Sequence, residues 1–132
     1  MFKFLSKTLM IVALVVPTAA FLGADESDIN DATSAVLHAS SAAPKVAALR
    51  HVPSVGAIDV DPSGASPSSD VGGQLYSLAI IAERNTAGIA RLRHALAGNP
   101  VTRNALASNG VNIGRVVGVE IGATGALRVF TD

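Results

Sequence analysis

Apolar and polar positions change their spacing several times along this chain, and each change predicts an element. The first stretch is an apolar run from Thr8 to Val16, preceded by Lys3 and Lys7 and followed by Pro17 and the small residues Ala19, Ala20, Gly23 and Ala24. A positive start, an apolar centre and a small-residue end form the order of a secretory signal peptide. A short apolar helix enters the export channel with its positive end held back, and Pro17 stops that helix and presents extended chain to the peptidase. Cleavage after Ala20 and cleavage after Ala24 both fit. From Thr8 to Leu22 there are 15 residues, Pro17 among them, whereas a membrane span takes about 20. Residues 1–24 are therefore read as a cleaved signal, with a retained membrane anchor as the alternative.

Asp25 to Arg50 opens on the acids Asp25, Glu26, Asp28 and Asp31 and continues rich in Ala and Ser, with apolar residues at Ile29, Ala32, Val36 and Ala39 or Ala43. Steps of three and four predict a helix that starts after Asp28 and is capped by it. Ser40-Ser41 and Pro44 are expected to end that helix, and Pro44 to open a short second one. The apolar stripe is thin, so residues 25–50 read as an acidic arm, weakly helical or disordered. Residues 51–69 contain Pro53, Pro62 and Pro67, a turn at Asp61-Pro62-Ser63-Gly64 and the flexible run Ser66 to Ser69. They read as a linker, within which Val55 to Val60 forms an extended piece or a short strand.

The clearest periodicity begins at Asp70, placed to cap a helix. Val71, Leu75, Leu78, Ala82, Asn85, Ile89, Leu92 and Leu96 follow steps of four and three without a slip, which predicts one long, coiled-coil-like helix. Gly98 stands where a left-handed C-terminal cap belongs, and Asn99-Pro100 stops the helix and caps a short one ending near Asn109-Gly110. As a single rod the long helix would measure about 40 Å, so part of its seam is expected to meet another element or a second copy. The period then falls to two: Val117, Val119 and Ile121, a turn at Gly122 to Gly125, then Leu127 and Val129. This predicts a β-hairpin with Gly125 at positive φ. An isolated hairpin is marginal in water, so it is expected to pack on the long helix. The fold class is α+β, with residues 70–132 as its small folded module.

Composition narrows what such a chain can do. There are 10 basic and 10 acidic residues in 132, no Cys and no Trp. Loss of Lys3 and Lys7 with the signal leaves 8 bases against 10 acids, a net charge of −2. A mildly acidic chain lacks the clustered cations that nucleic-acid binding uses to release counterions. The absence of Cys excludes disulfides, thiolate chemistry and a lipid-modified Cys anchor. Arg outnumbers Lys seven to three, beside abundant Ala, Gly and Val, a bias of GC-rich bacterial coding.

Candidate chemistry is sparse. His38, His51 and His94 form no pair at helical spacing, and no Gly-x-Ser-x-Gly elbow is present, so neither a metal site nor a hydrolase is favoured. Asp59, Asp61, Ser63, Gly64 and Asp70 match a calcium loop in part, but the final ligand is shorter than Glu. A plain turn accounts for these residues. The basic stripe says more: Arg84, Arg91, Arg93 and Arg103 face one acid, Glu83, between Ala82 and Arg103. Arg84, Arg91 and Arg103 are a candidate anion or partner surface, against the plainer reading of a solvated face. Asn85, a lone polar residue in an apolar seam, is a candidate determinant of register or oligomeric state, or else faces water.

The resulting expectation is a small non-enzymatic binding module of the cell envelope, without cofactor or metal. It leaves by the general secretory route to the periplasm or the medium, and its partner is an envelope protein or a second copy. The alternatives are a membrane-tethered structural protein with its first segment uncleaved, and a small hydrolase.

Overall fold

The computed structural model describes residues 25–62 and 70–132. The signal-peptide reading of residues 1–24 and the flexible run Ser66 to Ser69 lie outside the described residues. The described chain is α+β, with five α-helices and a three-stranded mixed sheet.

The segment expected to be a weak or disordered arm forms two helices, α1 (Glu26–Leu37) and α2 (Ala39–Ala47). Their local signals explain why. Asp25 accepts from the Asp28 backbone N–H at 2.9 Å, and the Asp28 carboxylate accepts from the Asp25 N–H at 3.1 Å. This reciprocal capping box starts the helix three residues before the expected cap. Pro44 lies inside α2 rather than at its start. The apolar residues of both helices, Ile29, Ala32, Val36, Ala39 and Val46, belong to the buried core. Burial of that face supplies what the weak local propensity does not.

The long seam is real, but the rod is not straight. It divides into α3 (Asp70–Arg84) and α4 (Thr86–Gly98), broken at Asn85 with φ −120° and ψ 32°. The first pair, α1 and α2, breaks at His38, and α1 packs along α3 while α2 packs along α4. The Asn85 side-chain amide donates to the Val36 carbonyl near the His38 break, so the two kinks are tied to each other. At the far end, Asn99 donates to the carbonyls of Val46 and Leu49, each at 2.9 Å, while its side-chain oxygen accepts from the Val101 N–H at 3.0 Å. One residue thus closes α2 and caps α5 (Pro100–Ser108) as expected. Gly98 remains helical, and among the described residues only Gly110 and Gly125 have positive φ. The left-handed cap expected at Gly98 is thereby replaced by extended backbone at Asn99.

The expected hairpin forms from β2 (Val116–Ile121) and β3 (Leu127–Thr131), with Gly125 at φ 92°. It does not stand alone on the long helix. β1 (Val55–Asp59), inside the stretch read as a linker, pairs in parallel with β3 from Val55 opposite Leu127 to Asp59 opposite Thr131. The strand order is β1-β3-β2, which puts β3 in the centre. β2 packs chiefly against α1, with further contacts to α2 and α4. That approach is close at Gly118, where an added Cβ would lie 2.8 Å from the Ala35 Cβ and 3.0 Å from its backbone. Phe130 in the central strand is fully buried.

Candidate functional site

Strands β1 and β3 run in the same direction, and their carboxyl ends open on a cleft of about 770 Å³. Ligands of open sheets that contain parallel strands collect at this end, where the strands stop and the crossover segments diverge. The cleft is held between that end of the sheet and the kinked α3–α4 pair. Its buried floor is Val60, Leu78, Ile89 and Val117. Ala79, Ala82 and Ala90 line it from the helices, and their short side chains leave the volume open. Such a size suits a small molecule of mainly apolar body.

The polar groups stand around this floor. Asp61, Glu83, Thr86, Arg93 and Asp132 all line the cleft. Arg93 is half-buried, and its Nε donates to the Val116 carbonyl at 2.8 Å. That bond fixes the plane of the guanidinium and leaves its terminal nitrogens with no partner among the described residues. Asp61 takes part in a turn, its N–H donating to Asp59 Oδ1 at 2.9 Å. The arrangement can bind and orient, since a fixed fork of donors beside an apolar floor recognises a single acceptor group on an apolar body.

The three arginines singled out from sequence do not line this cleft. Arg84 lies in the last turn of α3. Arg91 donates to Ser40 Oγ at 3.1 Å across the α2–α4 contact, and Arg103 donates to the Ala97 carbonyl at 3.2 Å near the end of α4. Each is exposed, and the bonds of Arg91 and Arg103 tie helices to one another. The Asn85 side-chain amide donates to the Val36 carbonyl within the same chain. His94 and Arg91 share a shallow groove with Ser40 and Pro44, without a convergent acid. Among the described residues, no group of three or more His, Asp or Glu is placed to hold a metal ion. No described helix is long and apolar enough to cross a membrane.

Two residues carry more than their sequence position suggested. Arg93 was grouped with the basic stripe, but the seam step to Leu92 and Leu96 turns it toward the sheet, where Val116 waits. Arg128, in β3, joins Asp28, Asp31 at 2.7 Å and Glu120 at 2.8 Å. Burial works against its charge, but hydrogen bonds to Asp31 and Glu120 and the charges of Glu120 and Asp28 outweigh that and raise its pKa. The hairpin register sets Glu120 opposite Arg128, and the fold brings the acids of α1 to the same guanidinium. Comparison with protein-family models, curated proteins and solved structures finds no match to this chain, so the reading of the cleft rests on its own residues.

Proposed function

We propose that this chain is a small exported binding module of the bacterial cell envelope, non-enzymatic and free of cofactor, whose ligand site is the cleft at the carboxyl ends of β1 and β3. The observation that carries the reading is the cleft itself: about 770 Å³ with a buried apolar floor and one oriented guanidinium. Export rests on the order of charge, apolar run and small residues over positions 1–24. A protein partner or second copy would meet the exposed apolar pair Tyr76 and Ile80 on α3, or the arginines Arg84, Arg91 and Arg103.

The cleft is tested by native mass spectrometry of protein taken from the host's periplasm and medium, with and without Ala82→Leu, which narrows the cleft from its helix side. A bound small molecule that disappears in the variant supports the reading. Binding unaffected by Ala82→Leu sinks it. N-terminal sequencing of the same material is expected to begin at Phe21 or Asp25, and a start at Met1 in the membrane fraction would establish the tethered alternative instead.

A further inference from the structure

We infer that the cleft selects a monocarboxylate with an apolar body, and that Arg93 is the residue that binds its charged group. This rests on the reading of the cleft as a ligand site and adds the class of ligand. Arg93 is half-buried, pinned through Nε to the Val116 carbonyl, and forms no ion pair within the described residues, where the ion pairs that do occur belong to Arg128. A guanidinium held in this way has its outer donors arranged for the two oxygens of a carboxylate. The neighbouring surface is the buried apolar floor of Leu78, Ile89 and Val117, so the rest of the ligand is hydrocarbon.

The remaining polar lining limits the charge of the ligand. Glu83 and Asp132 are exposed and line the same cleft, with Asp61 nearby. Carboxylates on the same lining repel a second negative charge on the ligand, which disfavours phosphate and dicarboxylate groups relative to a single carboxylate paired with Arg93. Arg115 donates to the main-chain oxygen of Asp132, while Arg84, Arg91 and Arg103 lie outside the cleft lining.

A carboxylate on an apolar body comes either as a free fatty acid or as the end of a peptide. Titration calorimetry of the purified protein therefore uses two matched pairs, octanoate with octanol and acetyl-leucine with acetyl-leucine amide. In at least one pair the acid is expected to bind roughly tenfold more tightly than its neutral counterpart, and the pair with the tighter acid identifies the source. Arg93→Gln is expected to abolish that preference while neutral binding persists. Equal binding of acid and neutral compound by the natural protein, or an undiminished preference in Arg93→Gln, overturns the role of Arg93 and leaves the cleft reading standing. Binding of none of the four compounds overturns both. Should Arg93→Gln fail to fold, Glu83→Gln decides: relief of repulsion is expected to tighten the acid about twofold with no change for its neutral partner, and an equal effect on both overturns the assignment.

Discussion

The side-chain amide of Asn85 donates to the backbone carbonyl of Val36, across 49 residues of chain. Both residues sit at helix breaks, Asn85 between α3 and α4 and Val36 beside the break at His38 between α1 and α2. Asn is a weak helix former because its side chain competes for backbone groups, and here the group it takes belongs to another helix. The kink lets the α3–α4 seam follow its partner pair instead of extending as a rod. Asn85→Leu is expected to lose about 0.5–1.5 kcal/mol, because the Val36 carbonyl loses the Asn85 donor. Urea denaturation measures the loss. Light scattering is expected to show an unchanged mass, and a changed mass would establish Asn85 as an oligomer determinant.

Removal of α1 and α2 tests the same arrangement on a larger scale. Ile29, Ala32, Val36, Ala39 and Val46 enter the core shared by α3, α4 and the sheet. A chain shortened to begin at His51 exposes the Leu92–Leu96 seam and one flank of β2, and without Cys it has no covalent substitute. It is expected to show no cooperative thermal transition by circular dichroism and poor amide dispersion by NMR. A well-dispersed spectrum would return residues 25–50 to the status of a dispensable arm.

Arg128 gathers Asp28, Asp31 and Glu120 over the sheet, fastening α1 to β3 and β2. Arg128→Gln leaves three carboxylates together and is expected to cost about 1–2 kcal/mol at low salt. Sodium chloride at high concentration should narrow that difference, since the group is partly exposed and open to screening. The pKa of Arg128 is raised on folding, so its contribution is complete below the ordinary guanidinium value and declines only as pH rises through the elevated one. The difference between natural protein and variant should therefore stay flat from neutral into mildly alkaline solution, as followed by denaturation at several pH values.

Two strand glycines make opposite predictions. A Cβ at Gly118 meets Ala35 at 2.8 Å, whereas a Cβ at Gly56 finds nothing within 4 Å. Gly118→Ala is expected to cost about 1–3 kcal/mol by overpacking. Gly56→Ala is expected to be neutral or to stabilise by up to about 1 kcal/mol through reduced freedom of the unfolded chain. Thermal melts of the two variants side by side check the contrast, and equal effects would contradict the close approach of β2 to α1.

Short-range chemistry made several elements legible from the residues alone. The Asn99-Pro100 start of α5, the period-two strands and the positive φ of Gly125 all appear where the spacing puts them. The unbroken step of the seam was also legible, since Leu75, Leu78, Ile89, Leu92 and Leu96 are all buried. What covers that seam was not. The Ala and Ser of α1 and α2 carry little apolar area each, and their helicity depends on contacts that no local window contains.

By itself, then, the sequence determined the α+β class, the caps, the hairpin and the apolar face of the central helices, because capping and periodicity act over three or four residues. Only the tertiary structure decided that β1 pairs with β3, that the N-terminal helices complete the core, and that Arg93 lines the cleft. The tie from Arg128 to Asp28 spans 100 positions. Such contacts form only when chain segments meet in space, and their energy depends on burial and register that the order of residues does not display. The cleft shares that origin: it lies where two parallel strands end beside a kinked helix pair that lines it with small residues.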